Sequence, residues 1–181
     1  VATSDWNVVV TTYDREFRDA RSLLSRFGDV RGCAYRNVLA MKVDDIGEFL
    51  ESLQQILKED ASLANAVARV VPVTHGFKFT TPEEFESKAR DVVSEWLPDL
   101  GGKKFHVRMH RRGFKGKLSS QHEEQFLDHF LQDRLQAAGT PAAIDFDDPD
   151  VVISVETLGD EAGLSRWTRQ QLRDCELLKI D

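Results

Sequence analysis

Residues 103–117, KKFHVRMHRRGFKGK, hold seven Lys or Arg, two His and no acid. Within them Phe105, Val107 and Met109 alternate with Lys104, His106, Arg108, His110 and Arg112. Alternation of this kind predicts a strand from Lys103 to about Arg112, because successive strand side chains point to opposite faces. The apolar set is expected in the core. The cationic set is expected in solvent, as a ladder able to neutralise successive phosphates. Arg111, Lys115 and Lys117 carry the charge into the next loop. The plain alternative is a solvated strand face, but such a face normally mixes in acids, since like charges side by side destabilise a sheet.

Other constellations are weaker. Gly113-Phe114-Lys115-Gly116 has the GxxG form of a loop that clamps an RNA backbone between two helices. Here a strand precedes it, so a flexible turn is the reading. His106 and His110 sit four apart on a strand, about 13 Å from one another. His122 and His129 are two turns apart on a helix. No Cys or carboxylate is seen to complete either pair, and no metal site is expected. Asp145, Asp147, Asp148 and Asp150 flank Pro149. Four carboxylates can hold Mg²⁺ or do acid–base work, but Asp and Pro also build turns, and the turn is favoured. There is no GxGxxG, no GxSxG and no nucleophile with a base at motif spacing, so neither a catalytic residue nor a cofactor is expected.

The net charge of −7 and pI near 5.3 argue weakly against nucleic acid, yet one dense basic segment can set up a local positive field. With 41% hydrophobic and 30% charged residues the chain reads as globular. No apolar run reaches the length of a membrane span, and Val1–Asn7 has no signal-peptide pattern. The lack of an initiating Met suggests that a few residues precede Val1. Cys33 and Cys175 lie far apart and are expected to be reduced thiols in a cytoplasmic compartment.

The elements that would position these residues fall into two groups. Residues 6–12 predict a strand, and Asp14 is expected to cap a helix bearing Phe17, Ala20, Leu23, Leu24 and Phe27, stopped by Gly28. A strand pair over 30–35 and 38–43 turns at Arg36-Asn37. A helix with Ile46, Phe49, Leu50, Leu53 and Leu57 and a last strand over 69–73 complete a βαββαβ order, the ferredoxin-like pattern. Pro72 requires that last strand to lie at an edge. After a linker over 74–80, Thr81-Pro82-Glu83-Glu84 opens a helix with a capping box. The basic strand follows. Ser120 and Glu123 are read as a second capping box, and residues 151–157 as a buried strand. A strand over 163–167 and a short helix over 169–175 close the chain. The fold class is α+β, with domains 1–78 and 79–181.

With these stretches in view the chain resembles the stand-alone THUMP proteins, whose eukaryotic member is the adaptor for tRNA cytidine acetylation. The residues that carry the likeness are Arg69-Val70-Val71-Pro72-Val73 with Phe77 and Phe79, then Phe105 to Arg112. Ile144-Asp145-Phe146, Asp148-Pro149-Asp150 with Val151 to Val155, and Gly163-Leu164-Ser165-Arg166 follow in the family's order. The resemblance implies a ferredoxin-like domain leading into a THUMP-type α/β domain. It also implies binding of tRNA at its acceptor end, with a separate modifying enzyme, such as an acetyltransferase, as partner. Because the sequence stops at Asp181, shortly after the THUMP-like tail, a non-catalytic protein is expected. The candidate RNA-binding set is Lys103, Lys104, His106, Arg108, His110, Arg111, Arg112, Lys115, Lys117 and Arg166. The competing readings are a ferredoxin-like regulatory or small-molecule-binding module without RNA function, and a small hydrolase using the Asp cluster.

Overall fold

The computed structural model describes residues 5–181. The first four residues, part of the expected first domain and of the signal-peptide reading, lie outside the described residues. The chain divides into two units. One holds Asp5–Val73 and Gln170–Lys179; the other holds Thr74–Arg169 and Ile180–Asp181. The sequence suggested one boundary near residue 78. The observed division instead falls after Val73, and a late segment belongs with the first unit.

The first unit runs β1 (Val8–Thr12), α1 (Phe17–Leu24), β2 (Asp29–Gly32), β3 (Val38–Lys42), α2 (Ile46–Glu59), α3 (Ser62–Ala66) and β4 (Val67–Pro72). Its antiparallel sheet has the order β2-β3-β1-β4, the ferredoxin-like arrangement. Pro72 lies on the edge strand, opposite Val8. On the outer side of β4, Val70 N–H donates to the Leu177 carbonyl at 2.8 Å. Proline has no N–H to leave bare, so the edge is covered by a late segment and blunted by Pro72 together. Asp14 does not cap α1. Its carboxylate accepts from Asn37 Nδ2 at 2.5 Å and Arg36 at 3.1 Å, and so fixes the β2–β3 turn, where Asn37 has φ 59°. At Gly28 a Cβ would come 2.2 Å from the Lys42 carbonyl oxygen, so only glycine allows the chain to pass β3 there.

The second unit runs β5 (His75–Lys78), α4 (Pro82–Ser94), α5 (Leu97–Leu100), β6 (Lys104–His110), α6 (Ser120–Ala137), β7 (Ala143–Ile144), β8 (Val151–Leu158) and β9 (Glu161–Thr168). A last short helix, α7 (Arg169–Asp174), leads out of it. The sheet order is β5-β9-β8-β6-β7, with β6 parallel to β7 and β8. The expected linker over 74–80 is therefore partly a strand. Four residues are too few for their alternation to stand out, but β5 pairs with β9 through His75–Leu164 to Lys78–Glu161.

Phe105, Val107 and Met109 point into a core with Val151, Ile153 and Val155 of β8, Phe85, Ala89 and Val93 of α4, and Leu127, Leu131 and Leu135 of α6. Thr81 caps α4 by accepting from Glu84 N–H at 3.1 Å, and Glu84 reaches back to Thr80 N–H at 2.7 Å. At α6 the cap is Ser119, accepting from His122 N–H at 3.3 Å, not Ser120. The shift of one residue takes Glu123 out of the expected capping box and buries it, 2% exposed. Among the described residues no helix is long and apolar enough to cross a membrane.

Candidate nucleic-acid interface

Strand β6 positions most of the expected set. Its outer edge is paired with β7 only at Lys104 and Phe105. Beyond that point α6 takes over: Val107 N–H donates to Asp128 Oδ1 at 2.9 Å, and Met109 N–H to Glu124 Oε1 at 2.7 Å. Two carboxylates thus replace a missing strand, as buried backbone donors require. Burial, more than the charge of Glu124, pushes the Asp128 carboxyl up to about 7, against the opposing Val107 N–H.

The cationic side of β6 is not the open ladder that alternation suggested. His106 is fully buried, its ring 5.3 Å from that of Phe146 and its Nε2 3.7 Å from Asp181. Lys104 pairs with Asp145 at 3.1 Å and Asp148 at 3.6 Å. Arg108 pairs with Asp181 at 2.7 Å, with Glu124 farther off at 3.9 Å. His110 and Arg112 share Glu156, at 2.7 and 2.5 Å, and Glu156 is fully buried. The acids missing from residues 103–117 are supplied from β8, the Asp-rich turn and Asp181.

Arg166 is separated from the rest. It sits opposite Ile153 in β9, and Ile153 belongs to the core beneath the helices, so Arg166 emerges on the helix-covered face of the sheet. There it pairs with Asp99 at 2.8 Å. Arg108, opposite Ser154, lies on the other face.

The Asp-rich segment is a turn, as read from the sequence. Asp145 Oδ1 accepts from the N–H groups of Asp147 and Asp148, and Asp150 accepts from Lys104 N–H. Those bonds, with Lys104 beside it, hold the Asp145 carboxyl below its usual range. Arg169 closes the cluster on Asp148 and Asp150, at 3.0 and 3.2 Å.

The loop after β6 is ordered and basic. Gly113, Phe114 and Gly116 all have positive φ, at 95°, 51° and 79°. Phe114 turns its ring onto Phe79, 4.8 Å between centroids, and its carbonyl accepts from Lys117 and Leu118 N–H. The base of the loop is tied to the end of the β8–β9 hairpin, since Arg112 N–H donates to Thr157 Oγ1 and Gly159 N–H to the Arg112 carbonyl. Arg111 donates to the Gly113 carbonyl. Lys115 and Lys117 stand exposed at its tip and, among the described residues, form no ion pair. Lys103, at the other end of β6, does likewise. β6 is seven residues long, so Lys103 and the start of the loop are about 25 Å apart along the strand.

Sequence reasoning named Phe146, which is 61% exposed, only for the family likeness and gave it no place in the site. It also missed Glu156, although one glutamate inside the apolar run Val151–Leu158 signals a buried cationic partner. The expectation that no carboxylate joins His122 is corrected: Glu86 of α4 and Glu123 of α6 lie beside it, with one ligand atom from each of the three within 4.8 Å of the others. Desolvation and then the Glu86 charge push the Glu123 carboxyl well above its ordinary range.

Comparison with known proteins adds the following. Solved structures are similar over most of this chain, among them the following three. TrmN from Thermus thermophilus is 20% identical with a TM-score of 0.59, over 91% of this chain and 46% of its own. A 4-thiouridine synthetase–RNA complex with bound ATP is 14% identical with a TM-score of 0.52, over 91% and 42%. SMU.472, a putative methyltransferase complexed with SAH, is 18% identical with a TM-score of 0.53, over 88% and 40%. The chain spans about half or less of the length of these solved chains. They overturn the expectation of a non-catalytic protein, since the similar structures include enzymes and the missing cofactor loops were judged on a span that covers only part of them. No curated protein matches the chain in sequence. A family model, the THUMP domain, matches residues 79–166, so the second unit of this chain carries a THUMP domain.

Proposed function

We propose that this chain binds tRNA within a tRNA-modification system and holds its acceptor end for a catalytic centre. The observation that carries the reading is the THUMP domain over residues 79–166, with an ordered basic loop at the end of its β6 strand. The RNA bound in the 4-thiouridine synthetase structure supports it, as does TrmN among the similar folds. Lys115 and Lys117 make the first phosphate contacts, with Arg111 at the base of the loop and Lys103 at the far end of β6. Arg108, Arg112, Lys104, His106, His110 and Arg166 are held by carboxylates or buried, and act mainly by shaping the surface. In the finer reading the chain is an adaptor that presents tRNA to a cytidine acetyltransferase on another polypeptide, which rests on the order of the matching motifs. The free thiols Cys33 and Cys175 suit a cytoplasmic setting.

The test is a salt titration of tRNA binding. With about three phosphates neutralised, log affinity falls against log salt with a slope of roughly −2 to −3. The Lys115→Ala, Lys117→Ala double variant melts like the parent, binds more weakly and has a slope shallower by about one to two units. Unchanged affinity and slope in that variant would remove the loop from the interface.

A further inference from the structure

Glu86 faces α6 from α4, and His122 and Glu123 face it from the first turn of α6. His122 Nε2 lies 3.3 Å from Glu86 Oε1. Three properties set this group apart from an ordinary surface cluster. It mixes one imidazole with two carboxylates, a donor set that suits zinc better than the hard cations calcium and magnesium. Its Glu123 is 2% exposed, and Glu123 Oε2 has no hydrogen-bond partner. A buried, unpaired carboxylate oxygen is costly, and a cation at this point would satisfy it. The spacing also fits. Ligand atoms about 2.0–2.1 Å from a tetrahedral ion are roughly 3.3 Å apart. The His122–Glu86 pair already has that separation, and all three ligand atoms lie within 4.8 Å of one another.

We propose that Glu86, His122 and Glu123 form a zinc site joining α4 to α6. His122 Nε2 and one oxygen from each carboxylate fill three positions, and the exposed side of His122 leaves the fourth to water. The imidazole side chain is 66% exposed, so the ion has an entry path. Glu83, close enough to act on Glu123 electrostatically, adds negative charge that favours a dication. The site lies on helices that cover the core face of the sheet, at the start of α6 just after the basic loop, and the proposal does not depend on tRNA binding.

The test uses the full chain after chelator treatment. Zinc is titrated calorimetrically, and cobalt is added in parallel to read ligand-field absorption. One equivalent of zinc should bind in the micromolar range or tighter, and cobalt should give visible bands that zinc displaces. His122→Ala and Glu86→Gln should each weaken zinc about tenfold or more. His129→Ala, exposed farther along α6, should bind as the parent does. His122 is exposed, so its variant decides the matter even if Glu86→Gln folds poorly. The proposal is overturned if the parent binds no zinc, if His122→Ala binds it equally well, or if His129→Ala loses it to the same degree.

Discussion

Asp128 Oδ1 accepts the Val107 N–H at 2.9 Å, so a buried carboxylate from α6 completes the edge of β6 where β7 ends. The price is a desolvated acid, held up to about 7 against an ordinary 3.8. A carboxyl whose folded value is raised contributes fully below its unfolded value, and that contribution is lost as pH rises through the folded one. Stability should therefore fall between about pH 4 and pH 7, by on the order of 4 kcal/mol at about 1.4 kcal/mol per unit. Asp128→Asn keeps an acceptor without a charge. It should flatten this slope and melt higher than the parent at pH 8. Asp128→Ala should instead lose about 1–3 kcal/mol at low pH, because Val107 N–H is left unpaired. Thermal melts across pH decide it, and an Asn variant that keeps the parent slope would sink the argument.

Phe105 is fully buried at the centre of the helix-covered core. Phe105→Ala should cost about 3–5 kcal/mol in urea unfolding, the transfer and cavity terms together. A loss below about 1 kcal/mol would mean that the site collapses freely.

Arg112 should behave as a structural residue. Its guanidinium neutralises Glu156, which has no exposure. Arg112→Ala should destabilise the fold by about 3 kcal/mol, less whatever His110 recovers, because a buried charge is left short of a partner. The double variant Arg112→Met, Glu156→Leu should recover much of that loss. Equilibrium unfolding of the single and double variants checks it, and additive losses would show that the pair is not coupled.

Arg166 and the loop lysines should separate in binding. Arg166 pairs with Asp99 on the helix-covered face of the sheet. Arg166→Ala should leave tRNA affinity and its salt slope within error of the parent, while Lys115→Ala shifts both. Equal losses from the two would place RNA on both faces.

The sequence showed which residues of β6 alternate, and Phe105, Val107 and Met109 are indeed inward. It could not show what covers the other face. Period two distinguishes two sides but is silent on whether the second meets water, and here Glu156, Asp145, Asp148 and Asp181 come from about 40 to 75 positions away. The ferredoxin-like order was legible because Pro72 and the helical spacing agreed with it. The Glu86–His122–Glu123 group was not, since Glu86 is contributed by another helix and Glu123 had a plausible local role one residue out of register. Arg166 looked like part of a basic surface because a one-residue phase in β9 decides its face, and that phase depends on pairing with Ile153.

The bond from Val70 to Leu177 makes the first unit discontinuous in sequence. The chain leaves this unit at Val73, builds another and comes back to finish the edge of the first sheet. A fragment cut near residue 78 would carry all four strands and still lack Leu177, with Val70 N–H bare on a strand able to recruit a neighbour. The two units are thus not interchangeable cassettes. Any evolutionary or engineered graft that moves the first unit must carry Gln170–Lys179 or supply a substitute for it.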